Sequence, residues 1–173
     1  GMILFSDQSE TFIPPKKGRN HILRLIRDLV DTEPQGKGTD LGKVLRHLTN
    51  VLKKRSIVFV LSDFMNTGED YQDALSIARR RHDVVGVHLY DDREVELPNM
   101  GHVRVLDAES GQSSWIDTAN KQTRIAYGKW YHENLRNTKQ MFIKSGADFL
   151  SINTKSSYVQ ALLGLFNRRA SRA

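Results

Sequence analysis

The chain has 173 residues, 39% of them apolar and 27% charged, the size and composition of one soluble globular domain with a single core. It contains no cysteine, which excludes disulfides, thiol catalysis and cysteine-ligated zinc or iron–sulfur centres and makes a reducing cytosol the expected setting. The net charge is +6 and the longest apolar run is five residues, so no segment is long enough to span a bilayer.

From the amino end, Ile3-Leu4-Phe5 and Thr11-Phe12-Ile13 read as short strands joined by polar Asp7-Gln8-Ser9-Glu10. Pro14-Pro15 closes that hairpin, because proline cannot continue a ladder. From about Arg19, the residues Ile22, Leu23, Leu25, Ile26, Leu29 and Val30 recur at helical spacing, with Pro34 and Gly36 as the stop. Leu41, Val44, Leu45, Leu48, Val51 and Leu52 make a second helical stripe.

Ile57-Val58-Phe59-Val60-Leu61 then predicts a strand buried on both faces, as at the centre of a parallel sheet. It ends in Ser62-Asp63, placing a carboxylate at the sheet edge where ligands bind in open α/β folds. A helix from about Tyr71 to Arg80 turns Ala74, Leu75, Ile77 and Ala78 inward, and Val84 to Tyr90 is a second apolar strand. Asp91-Asp92-Arg93 and Leu97-Pro98 read as a loop. Val103 to Asp107 and Ser113 to Asp117 form a hairpin about Glu109-Ser110-Gly111. A long helix from about Gln122 to Lys144, a strand from Asp148 to Ile152 and a helix from Tyr158 to Phe166 complete the chain. The alternation predicts an α/β fold, a doubly wound and mostly parallel sheet in one domain over residues 1–173. Gly1-Met2 running directly into a strand reads as a piece of a longer protein.

Several segments imitate functional motifs. Gly36-Lys37-Gly38-Thr39-Asp40-Leu41-Gly42-Lys43 lacks the spacing of a phosphate loop and follows a helix rather than a strand. Two readings stay open for it: a hydroxyl, Thr39, approaching the same sheet edge as Asp63, or an interhelix loop with Thr39 or Asp40 as helix cap. Asp7-x-Ser9-x-Thr11 mimics the first half of a magnesium site, but it runs into Pro14-Pro15 and reads as a hairpin turn. The six histidines show no zinc spacing and are read as surface or strand residues. Asp91, Asp92, Glu94 and Glu96 read as solvated or helix-dipole partners rather than as an acid/base pair. Twelve of the 26 basic residues cluster at 16–19, 53–55, 79–81 and 168–172, where helix ends and a solvated surface are the preferred explanation. No nucleic-acid partner is expected, since no aromatic strand motif accompanies them.

The ordered set of hairpin, helix, Gly38-Thr39-Asp40-Leu41, helix and Arg55 to Phe64 resembles a von Willebrand factor A-type domain. More narrowly, with Arg80-Arg81-His82-Asp83-Val84-Val85, Asp91 and Leu97-Pro98, it is similar to the bacterial "domain of unknown function fifty-eight" family, often encoded beside MoxR-type AAA+ ATPases. The resemblance implies a Rossmann-like sheet lacking its first strand. It also implies a metal-ion-dependent adhesion site in which Thr39 is the second element and Asp63 the third. The first element, Asp-x-Ser-x-Ser, would lie ahead of Gly1, so Mg²⁺ would be a cofactor of the intact protein and not tightly bound by this chain.

The function implied is a non-enzymatic protein-interaction module, cytoplasmic, working with a MoxR-type AAA+ ATPase in assembling or maturing protein complexes. No catalytic residue is expected. Membrane association of the full-length protein is left open. The alternative is a metal-dependent hydrolase or phosphatase-like enzyme using Asp63, and a basic nucleic-acid binder is the third reading.

Overall fold

The computed structural model describes residues 1–36, 38–65, 70–107 and 111–171. Lys37 of the glycine-flanked loop, Glu109 and Ser110 of the second hairpin turn, and Arg172 of the last basic cluster lie outside them. Strands form where the apolar pattern has period two or runs unbroken, and helices where it recurs at three and four residues. In chain order these are β1 (Met2–Phe5), β2 (Ser9–Ile13), α1 (Arg19–Asp31), α2 (Leu41–Val51), β3 (Ile57–Ser62), α3 (Gln72–Arg81) and β4 (Asp83–Tyr90). There follow α4 (Asp92–Val95), β5 (His102–Leu106), β6 (Ser113–Asp117), α5 (Lys121–Lys144), β7 (Asp148–Asn153) and α6 (Tyr158–Ala170).

The centre is a parallel sheet in the order β3-β4-β7. Its register places Val58 beside Val84 and Val60 beside Gly86. These residues face α2, α3 and α5, packing with Leu41, Leu45, Leu75 and Phe142. The opposite face carries Val85, Val87, Leu150 and Ile152 under Leu165 of α6. Helices therefore flank both faces, as the alternation predicts. β1 pairs with β2 and β5 with β6, each as a separate antiparallel ribbon. No helix among the described residues is long and apolar enough to cross a membrane.

Four expectations need correction. The strand buried on both faces is β4, whose Val84 to His88 are all buried, and not β3. β3 lies at the edge of the three-stranded sheet and alternates: Val58 and Val60 are buried, while Ile57, Phe59 and Leu61 are 59%, 40% and 53% exposed. α6 covers β4 and β7 on that face, and no described element covers β3 there. On α3, Ala74, Leu75 and Ala78 turn inward as expected but Ile77 is 49% exposed, and the apolar stripe of α1 likewise buries none of its residues. The segment expected as a loop at Asp91–Arg93 holds a short helix, α4, started by a capping box in which Asp91 accepts the Arg93 N–H.

Glycine at two positions is a packing requirement. A Cβ on Gly86 would stand 2.6 Å from Phe142 Cε1 and 2.8 Å from Phe149 Cδ2, so the bare backbone lets both rings lie against the strand. Gly146, at φ +75°, reverses the chain after α5, where the Ala147 N–H reaches back to the Phe142 carbonyl.

Candidate functional site

A groove of about 870 Å³ runs between the β1–β2 hairpin and β3, with α2 along it. Apolar residues line most of it: Ile3 and Phe5 from β1, Leu41, Val44 and Leu48 from α2, Phe59 and Leu61 from β3. Among the described residues β1 pairs only with β2 and β3 only with β4, so a strand edge on each side of the groove carries no ladder partner. Thr39, Ser62 and Asp63 also line this groove and supply its polar part.

The two residues singled out from sequence therefore share one cavity. Thr39 comes from the loop before α2, held in place from below. The Ser6 carbonyl accepts the Asp40 N–H at 3.0 Å, and Asp40 caps α2 by accepting the Lys43 N–H at 2.7 Å. Of the two cap candidates, Asp40 is thus the one that caps. Glu10 ties the same loop to the hairpin, accepting the Gln35 and Gly36 N–H groups and the Ser6 hydroxyl. These bonds, the Ser6 hydroxyl first, hold its carboxyl below the usual range. The Asp7-x-Ser9-x-Thr11 spacing accordingly runs from the hairpin turn into β2, and the hairpin anchors the loop.

Asp63 leaves β3 on a turn whose geometry is over-determined. Phe64 adopts a left-handed φ of +53°, a costly conformation for a residue with a bulky side chain. Its ring is buried against Phe142 and Phe149, its N–H donates to Ser62 Oγ at 3.0 Å, and its carbonyl accepts from Asn134 Nδ2 of α5 at 3.1 Å. The Met65 N–H donates to Asp63 Oδ1 at 3.2 Å. One carboxylate oxygen is thus oriented by backbone.

Beside Ser62 in the sheet register stands His88, fully buried. Its Nδ1 lies 3.1 Å from Ser151 Oγ and its Nε2 3.3 Å from the Tyr131 hydroxyl. Burial pushes its pKa down, against a smaller upward pull from the Asp63 charge. Burial first, then Glu94 and other nearby groups, pushes Tyr131 up to about 12, so its hydroxyl stays protonated and can donate to the imidazole. The reading of the histidines as surface or strand residues holds for His88 as a strand residue and fails for His82, which is buried at the end of α3. Sequence reasoning missed the His88–Tyr131–Ser151 cluster and Asn134. The one available signal was a histidine inside the apolar run of β4.

Elsewhere the carboxylates of the Asp91–Glu96 segment are used locally, Asp92 pairing with Lys155 Nζ at 2.8 Å. Among the described residues, no group of three or more His, Asp and Glu side chains converges as a metal-binding cluster.

Residues 1–137 match the family described as protein of unknown function DUF58. An uncharacterised protein of Mycobacterium avium is 26% identical over 161 residues, covering 92% of this chain and 94% of its own length. Uncharacterised proteins of Mycobacterium bovis and Mycobacterium tuberculosis are each 30% identical over 113 residues, or 64% of this chain. The matched stretch is 35% of the length of these two, so the chain spans about a third of them. In three dimensions the whole chain superposes on 79% of the conserved hypothetical protein BatB from Bacteroides thetaiotaomicron, with a TM-score of 0.60 at 16% identity, a likeness of fold alone.

Proposed function

The chain belongs to the DUF58 family of proteins of unknown function, and on that premise we propose that it is a non-enzymatic protein-interaction module of the von Willebrand factor A type. The observation that carries this reading is that Thr39 and Asp63 line one groove, at the end of a strand whose edge has no ladder partner among the described residues. An A-type sheet lacking its first strand would leave such a groove between the hairpin and β3.

A hydroxyl and a carboxylate suit a hard divalent ion in part. Mg²⁺ prefers oxygen, keeps several waters and needs only one or two protein carboxylates. Thr39 Oγ1 and Asp63 would hold it in the intact protein, together with further oxygen ligands from an Asp-x-Ser-x-Ser loop. When bound, the ion supplies an open position for a carboxylate from the partner. The hydrogen bonds that fix the Asp63 turn and the Thr39 loop favour such docking, because ligand groups held rigid lose less freedom on binding. The partner in this reading is a MoxR-type AAA+ ATPase, and the role is assembly or maturation of protein complexes in the cytoplasm.

The test is retention of that ATPase by the full-length protein, with and without EDTA, for wild type and Asp63→Ala. Loss of retention in both the EDTA and Asp63→Ala arms is expected. Retention unchanged in both arms refutes the metal-bridged reading. Turnover of phosphate esters with Mg²⁺ or Mn²⁺ that disappears in Asp63→Ala would favour the hydrolase alternative instead.

A further inference from the structure

A second cavity lies at the end of the sheet where β3 and β4 begin. It has a volume of about 240 Å³ and is lined by Thr49, Leu52, Lys53, Lys54, Arg55, Arg81 and His82. The carboxyl ends of α2 and α3 converge there, which accounts for part of the basic charge. Lys53 Nζ donates to the Asn50 carbonyl at 2.8 Å, and Arg81 to the Thr49 carbonyl at 3.3 Å. Helix capping leaves two things unexplained. Lys54 and Arg55 form no ion pair among the described residues, and no carboxylate lines the cavity. The nearest acid in sequence, Asp83, is already engaged by both terminal guanidinium nitrogens of Arg169, at 2.8 and 3.0 Å.

The second is His82. It is 1% exposed, it lines the cavity, and neither Nδ1 nor Nε2 has a hydrogen-bond partner. Buried polar atoms in native proteins are nearly always paired, so an imidazole with both nitrogens unpaired beside four cations marks a place for an acceptor. The acceptor those cations favour is an anion rich in oxygen atoms.

We propose that this cavity binds a phosphate group, as inorganic phosphate or as the end of a small monoester. His82 stands at its wall, and Lys53, Lys54, Arg55 and Arg81 supply the countercharge. The volume of about 240 Å³ is more than a bare ion needs. Leu52 offers apolar wall to a small attached group. The two cavities share Leu52 as a wall, but the cations and the histidine belong to this one and Thr39 and Asp63 to the other.

The test follows the histidine ring nitrogens of the whole chain by ¹⁵N NMR. Sodium phosphate and, separately, phenyl phosphate are titrated at an ionic strength held constant with sodium chloride. Burial and then the Arg81 charge hold the His82 pKa below its ordinary value, so a bound dianion should draw it upward. A saturable shift of the His82 signals, a rise in its apparent pKa and at least tenfold weaker binding in Lys54→Ala/Arg55→Ala are expected. Tighter binding of phenyl phosphate identifies a monoester site, and tighter binding of phosphate a free-ion site. No saturable His82 response to either ligand, or equal affinity in the double variant, overturns the proposal.

Discussion

Gly86→Ala tests the packing that shapes the Asp63 turn. The added methyl would lie 2.6 Å from Phe142 Cε1 and 2.8 Å from Phe149 Cδ2. Ordinary carbon contacts are about 3.5–4.0 Å, so the rings must retreat by about 1 Å or the strand must bow. Neither ring has slack, because Phe64, Phe142 and Phe149 contact one another with centroids 5.2 to 5.6 Å apart. Overpacking of this kind costs about 1–3 kcal/mol. At roughly 2–4 °C per kcal/mol for a chain of this size, the melting temperature should fall by roughly 2–12 °C. Urea and thermal unfolding followed by circular dichroism measure it. Phe142→Leu in the Gly86→Ala background should return part of the loss, giving a favourable coupling energy in a double-mutant cycle. If Gly86→Ala melts with the wild type, or the two changes are additive, the close approach of rings and strand is refuted.

Two further perturbations follow from the hydrogen-bond and titration pattern. His82 and His88 both have folded-state pKa values lowered from 6.5, chiefly by burial, so below about pH 6.5 the unfolded chain takes up protons that the native rings refuse. Stability should therefore be complete above that pH and fall as pH drops towards the native values, with a slope of up to about 1.4 kcal/mol per pH unit for each ring. Urea midpoints at pH 7.5 and 5.5 check this, with His88→Gln expected to reduce the difference; equal midpoints in the wild type would contradict it. Glu10→Ala releases the Gln35 and Gly36 amides, and hydrogen exchange at those two should quicken while β4 amides keep their protection. Unchanged exchange there would deny Glu10 its anchoring role.

Most elements were legible from periodicity and punctuation. The α2 stripe of Leu41, Val44, Leu45 and Leu48 is buried as its spacing requires, and α5 starts and ends within a residue of its reading. What could not be read was which apolar faces find a cover. An unbroken run such as Ile57 to Leu61 says that both faces can be buried, but the covering element belongs to another part of the fold, and α6 reaches only β4 and β7. α1 shows the same limit, with a stripe that no described element covers. In the site, Asp63 and Thr39 were visible because strand ends and glycine-flanked loops have local signatures. Asn134 and Tyr131 were not, because their roles depend on where a helix some seventy residues from Phe64 comes to rest. The left-handed Phe64 was equally hidden, since a phenylalanine gives no local sign of that conformation.

The uncovered edge of β3 has a consequence for how the chain behaves in company. Ile57 to Ser62 contains no charge and no proline, and its edge has no ladder partner among the described residues, so wherever that edge stays open one molecule offers another a template for cross-molecular pairing. Charges guard the strand at either end: Lys53, Lys54 and Arg55 before it, and Asp63 immediately after. Asp63 is then a gatekeeper against fibre-like stacking as well as a candidate ligand. A charge at that place opposes stacking whatever the groove goes on to hold.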